Sequence, residues 1–360
     1  MITASFASVA AGVWGKAWPI LVAILLFGLV IFIHEFGHFI CAKWSGVKVN
    51  EFAIGMGPAL FKFKKGETLY ALRLFPIGGY VSMEGEDAES PDERSFGKAK
   101  VWKRMIIVVA GAIMNLLLGL LLIGFYLGVS GDLTEPVVAK FADNSTSQNY
   151  GLQLGDEITD INGMRIITTL DFSLAISRDT DGVVDMVVKR DGEKIELQGI
   201  KFDMKEYEDG QKMIRLDFLI QGLENNFWNV LKHSFKWTAS MARLVWISLA
   251  DLITGNVSFS ELSGPIGIVS IVADSARSMW QDVAPILYIM AFITINIGTM
   301  NLLPFPALDG ARFLILIIEA IRRKPMKPKY EGIIHGVGLI ILLGFMLIVS
   351  VSDVTKFFRG

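Results

Sequence analysis

Four apolar stretches, each long enough to cross a bilayer, constrain this 360-residue chain more than any other feature. They cover approximately residues 18–41, 105–129, 283–303 and 333–351. About 20 apolar residues span the roughly 30 Å hydrocarbon core as a helix. Lipid offers backbone groups no hydrogen-bond partners, so such segments must be helical. Composition agrees: 19% of residues are charged and 52% hydrophobic, against about 25% charged in a soluble domain. The first stretch is preceded by a single charge, Lys16, and followed by no small-residue cleavage site. It therefore reads as a retained span rather than a signal peptide. A net charge of −2 gives no reason to expect a nucleic-acid partner. The single cysteine, Cys41, cannot form an intrachain disulfide.

Loop charges orient the spans. Residues 43–104 hold eleven Lys and Arg and residues 304–332 hold six, whereas one precedes the first span and two follow the last. The positive-inside rule places both basic loops in the cytoplasm. Both termini and the long segment 130–282 then lie outside. Residues 227–253 are apolar enough to suggest a fifth span, but Lys232, His233, Lys236, Arg243 and Asp251 interrupt them. Leu231, Phe235, Met241, Val245 and Leu252 are expected on one face of an amphipathic helix lying on the outer membrane surface. A fifth span would also send the basic loop 304–332 outside.

Between the spans the chain changes character. Residues 48–82 look β-rich, with a hairpin turn at Lys64-Lys65-Gly66-Glu67. A sheet there can enter the membrane only if protein covers its edges. Residues 84–98 are acidic and polar and read as a mobile loop. Residues 134–205 carry short strands, an Asn162-Gly163 turn and a hairpin at Asp191-Gly192.

The chemistry lies at the cytoplasmic end of the first span, in His34-Glu35-Phe36-Gly37-His38. Positions i and i+4 share a helix face, so both imidazoles can reach one metal ion, with Glu35 beside them as a base. Zinc lowers the pKa of bound water from 15.7 to about 7. Ionisable groups inside an apolar span are costly and functional by default. A pair of histidines hydrogen-bonded between helices, with Glu35 paired to a lysine, would explain neither the spacing nor the depth. A catalytic zinc keeps three protein ligands and one open position. Asp309, in Asn301-Leu302-Leu303-Pro304-Phe305-Pro306-Ala307-Leu308-Asp309-Gly310, lies on the required side. By spacing alone it serves equally well as a ligand or as a turn or helix-cap aspartate. Glu319 and His335 are competing candidates.

Taken together, these residues resemble the site-2 protease family of intramembrane zinc metalloproteases, of the bacterial RseP/RasP type. The resemblance covers nearly the whole chain in order: HEFGH (34–38), FAIGMGP (52–58), GGY (78–80), AGAIMN (110–115), GLQLGDEITDING (151–163), SGPIGI (263–268) and NLLPFPALDG (301–310). It implies a polytopic α-helical membrane protein with four transmembrane helices, a membrane-associated β-sheet and one extracytoplasmic PDZ-like domain. Residues 1–130 would form an N-terminal membrane region, 131–226 the PDZ-like domain, 227–282 the surface helix and linker, and 283–360 the C-terminal membrane region.

The resemblance also implies one zinc ion per chain, with His34, His38 and Asp309 as ligands and Glu35 as the catalytic base. Asn301, Gly55, Gly57, Gly78, Gly79 and Tyr80 would contact substrate. Expected partners are the lipid bilayer and single-span membrane proteins of the anti-sigma-factor or remnant-signal-peptide type. A PDZ-like domain can also bind a peptide by strand addition. The expected location is the bacterial inner membrane, with the termini and PDZ-like domain outside and the active site toward the cytoplasm. The chain departs from the family at Ala112, where proline is usual, and at Ala311, where glycine is usual. A catalytically dead scaffold would not need His34, Glu35, His38 and Asp309 intact, and a zinc transporter would not need Glu35 beside the ligands.

Overall fold

The computed structural model describes residues 2–86, 88–206, 212–255, 264–326 and 328–359. Ser263 of the SGPIGI segment and Asp87 of the acidic loop lie outside them. Four helices are long and apolar enough to cross a membrane: Ala17–Ser45, Val101–Ser130, Ala284–Asn301 and Tyr330–Thr355. They correspond to the four stretches expected from sequence. In the first and last of these, 17% and 11% of the most apolar window is buried within the protein. Side chains such as Leu25, Ile340 and Leu347 point outward, as lipid-facing residues must when no other protein surface covers them.

The chain forms two compact units, residues 123–246 and the remainder. In the membrane unit, α1 (Ile2–Ser45) runs into a hairpin of two long bent strands, β1 (Val49–Lys65) and β2 (Thr68–Met83). Gly66 makes the turn with φ +63°, at the position the sequence suggests. The strands bend so far that residues 49–54 pair with 79–83 on one side and with 69–72 on the other. Gly55 and Gly57 allow the bend, with φ of +83° and +84°. A Cβ on Gly55 would lie 2.5 Å from the Phe75 carbonyl oxygen, so no other residue fits there without displacing the opposing strand.

Phe52, Val81, Met83 and Val49 of this sheet pack with Ile107 and Val108 of α2 (Val101–Ser130) and with Leu316 of α7 (Asp309–Arg322). The acidic segment after β2 is held in place rather than loose. Glu84 accepts bonds from Asn50 (3.0 Å) and Ser90 (2.6 Å), and Lys48 pairs with Asp92 at 3.0 Å.

A second apolar cluster joins α1 to α5 (Pro265–Ser278) and α6 (Ala284–Asn301) through Val30, Val272, Ala276, Met290 and Ile293. The N-terminus of α5 is capped from α8 (Pro328–Arg359): Asp353 accepts the Gly264 and Gly267 N–H groups at 3.0 Å each. A carboxylate suits the partial positive charge of a helix start.

Glu319 of α7 does not approach the histidines. It forms a buried ion pair with Arg104 of α2, both groups being under 10% exposed. Removing one partner strands a buried charge, at a cost of about 3–5 kcal/mol. Glu319→Leu alone is therefore expected to destabilise the protein more than the double substitution with Arg104→Met. Thermal unfolding of the parent and both variants in detergent checks this order.

The other unit holds β3 (Thr134–Phe141), β4 (Glu157–Ile161), β5 (Met164–Arg165), α3 (Thr169–Ser177), β6 (Val183–Arg190), β7 (Glu193–Lys201), β8 (Asp203–Glu206), β9 (Lys212–Arg215) and β10 (Phe218–Gly222). The main sheet has the order β10-β3-β4-β6-β7, with β5 paired to β4. Asn162 and Gly163, and likewise Asp191 and Gly192, take positive φ in the two tight turns, as the sequence predicts. Phe172, Ile158, Ile161, Val184, Met186 and Ile200 fill the core.

Residues 227–246 of helix α4 (Phe227–Thr254) belong to this unit. Arg243 and Ser240 both bond to the fully buried Asp171 carboxylate at 2.7 Å. The single apolar face expected for this helix divides in two: Met241 and Val245 are buried, whereas Leu231 and Phe235 are exposed. The cause is angular, because six residues at about 100° each turn Met241 roughly 240° from Phe235.

Candidate active site

On α1, His34 and His38 stand one turn apart, with their Nε2 atoms separated by 3.2 Å. Asp309, the first residue of α7, brings Oδ2 to 3.2 Å from His34 Nε2 and 3.4 Å from His38 Nε2. Zinc–nitrogen and zinc–oxygen bonds of about 2.0–2.2 Å in a tetrahedron require ligand atoms roughly 3.3–3.5 Å apart. These three atoms form such a triangle, and no other cluster of three His, Cys, Asp or Glu side chains does so among the described residues. Asp309 Oδ2 is buried without a hydrogen-bond donor, as suits an atom aimed at a cation. The residues present fit a zinc ion.

The ring orientations are set from α2. The Ile107 carbonyl lies 2.8 Å from His38 Nδ1, which fixes the proton there and leaves the Nε2 lone pair free. Asn115 is fully buried, with its side-chain amide 3.4 Å from His34 Nδ1. If His34 ligates through Nε2, Nδ1 carries hydrogen and the Asn115 amide presents its oxygen, an atom with no other partner. The sequence marks Asn115 only as part of a motif. Gly111 packs tightly against the pair: a Cβ there would lie 2.4 Å from His38 Nε2 and 2.8 Å from His34 Nε2. Gly37 permits the same approach from α1, its Cβ position being 2.5 Å from the Ala110 carbonyl oxygen.

A cavity of about 400 Å³ opens onto these residues. Glu35 lines it with His34, His38 and Asp309, as do Gly78, Gly79 and Tyr80 of β2, Asn301 of α6, and Glu86 and Arg312. Gly79 abuts Glu35 directly, since a Cβ there would meet Glu35 Cγ at 3.0 Å. Tyr80 accepts a 2.5 Å bond from Arg73. Burial and the neighbouring Glu51 carboxylate push its phenol up, keeping it protonated. Gly55 and Gly57 are not in the lining; they make the hairpin bend. His335 is also apart from the ligand triangle and accepts the Ala307 N–H at Nδ1, 3.1 Å away. Ala112 is fully buried in α2, and Ala311 is buried in the first turn of α7.

The sequence matches the peptidase family M50 pattern from residue 22 to residue 345. The chain belongs to peptidase family M50. A protein of Clostridium perfringens named as a zinc metalloprotease is 36% identical over 341 residues, covering 93% of this chain and 98% of the relative. A second, from Clostridium acetobutylicum, is 34% identical with 93% and 97% covered. The regulator of sigma-W protease RasP of Bacillus subtilis is 28% identical with 93% and 98% covered. That last alignment runs to 419 positions, so RasP carries inserted sequence that this peptidase lacks. Family membership makes the chain a zinc metalloendopeptidase, and its four apolar helices make it a membrane-embedded one.

Proposed function

We propose that His34, His38 and Asp309 hold one zinc ion per chain and that Glu35 is the general base for hydrolysis of a peptide bond within a transmembrane segment. The observation that carries this reading is the triangle of ligand atoms, 3.2–3.4 Å on each side, assembled beside a glutamate at the end of an apolar helix. Held by these residues, zinc would supply a water of pKa near 7 and Lewis-acid polarisation of a carbonyl. Glu35 takes the proton of the attacking water and returns it to the leaving amine. Asn301 hydrogen-bonds the substrate backbone from the cavity wall.

A helical substrate must first unwind, because its carbonyls are engaged in its own hydrogen bonds. Gly79, Tyr80, Val81 and Met83 line the cavity, and residues 79–83 pair with β1 along one edge. Their other edge receives the extended substrate as an added strand. Substrates of this kind are single-span proteins, of the anti-sigma-factor or remnant-signal-peptide type. The sigma-W regulation named for the Bacillus subtilis relative supports this class.

Loop charge supports an inner-membrane orientation with both termini and residues 130–254 outside and the cavity toward the cytoplasm, whereas α5, packed on Val30 of α1, lies at the depth of the first span rather than in an outer linker. The exposed Trp228, Leu231, Phe235 and Trp246 of α4 rest in the outer interface. Residues 131–226 serve as a PDZ-like module that meets substrate there.

Unwinding makes the rate depend on the substrate's own helix. Replacing Gly or Pro in a substrate's transmembrane segment with Leu is expected to slow cleavage by about tenfold or more, read by gel after co-expression. An unchanged rate would remove the unwinding step from the account.

A further inference from the structure

Asp309 is delivered by a short irregular segment between α6 and α7, and that segment holds an unusual conformation. Leu308 N–H bonds to the Phe305 carbonyl at 3.1 Å, closing a four-residue turn over Phe305-Pro306-Ala307-Leu308. Proline at the second position and positive φ at the third are the pattern of a type II turn. The third position ordinarily calls for glycine or asparagine. Here it is Ala307, with φ +82°. Alanine does not adopt that conformation without support from outside the turn.

Support comes from α8. His335 Nδ1 accepts the Ala307 N–H at 3.1 Å. One turn farther along the same face, Gly338 lets the helix press against the turn. A Cβ on Gly338 would stand 2.3 Å from Pro306 Cβ and 2.4 Å from the Pro306 carbonyl oxygen. Glu331, one turn before His335, accepts a 3.0 Å bond from Arg312, three residues past Asp309. Three contacts on one face of α8 therefore grip the turn and the first turn of α7, with Asp309 between them.

We propose that His335 is a positioning residue for the metal site, holding the Ala307 turn in its left-handed conformation so that Asp309 faces the two histidines. The inference rests on the assignment of Asp309 as a zinc ligand. A hydrogen bond to the backbone N–H stabilises a conformation that alanine disfavours and that glycine would adopt unaided. The role therefore belongs to the pair His335–Ala307 and can be separated from any other contact of the imidazole. It also gives this histidine a function other than ligation.

The test measures zinc affinity of the purified full chain in detergent by competition with a chelator, independent of cleavage. His335→Leu is expected to weaken zinc binding about tenfold. Ala307→Gly is expected to bind at least as tightly as the parent, and Ala307→Gly in the His335→Leu background to return within about threefold of it. Parent-like affinity in His335→Leu would overturn the proposal. So would a loss that glycine at 307 fails to restore, because the defect would then lie elsewhere in the packing of α8. Asp309→Asn is measured alongside: if it binds zinc as the parent does, the ligand assignment itself falls. If Asp309→Asn loses zinc while His335→Leu does not, only the positioning role falls.

Discussion

Glu35→Gln is expected to abolish measurable cleavage while the protein keeps its zinc. The substitution preserves the size and polarity of the side chain but removes the basicity of the carboxylate. General base catalysis is worth about 10²–10⁴ in rate, and the loss should fall in that range or below detection. The zinc content should remain that of the parent, because Glu35 is not among the three converging ligand atoms. Cleavage of a co-expressed membrane substrate and metal analysis of the same preparation check both halves. A glutamine variant that still cuts would assign the base elsewhere in the cavity.

Gly111→Ala is expected to be nearly as damaging, for a reason that reverses the usual effect of this change. Alanine in a helix is normally better than glycine by about 1 kcal/mol. At position 111 the added methyl would lie 2.4 Å from His38 Nε2, well inside van der Waals contact. Either α2 moves away from α1 or the imidazoles turn out of the triangle. The first withdraws the Ile107 and Asn115 groups that hold the rings, and the second separates atoms that must stay within about 3.5 Å to share one zinc ion. The variant should therefore bind zinc at least 100-fold more weakly, while the gain in helix propensity offsets part of the overpacking and lets the chain fold. Parent-like zinc affinity would mean that the close approach at Gly111 is incidental.

Much of this site is legible in the sequence, because its strongest signal is local. The i, i+4 spacing of His34 and His38 is fixed by helix geometry alone, and the four apolar stretches are set by bilayer thickness. Asp309 is different. Spacing leaves it level with a turn aspartate, and only the folded path of 302–308 brings it to the histidines. The supports are less visible still. Asn115, the Ile107 carbonyl and Gly111 act through α2, whose sequence shows an apolar helix with small residues and no sign of which face meets α1. His335 looks from sequence like a possible ligand, and its hydrogen bond to Ala307 depends on a positive φ that no local pattern at an alanine announces. The division of the α4 apolar face had a signal that could have been read, since the helical wheel already separates Phe235 from Met241.

The most direct test of the central claim is zinc K-edge X-ray absorption on the purified, zinc-loaded protein. Two imidazoles and one carboxylate predict only nitrogen and oxygen neighbours at about 2.0–2.2 Å, with the outer-shell scattering of two histidine rings. The Asp309→Ala variant should lose the metal or the carboxylate contribution. A sulfur neighbour near 2.3 Å, which would have to come from Cys41 or a methionine, would contradict the account, as would scattering from fewer than two imidazoles.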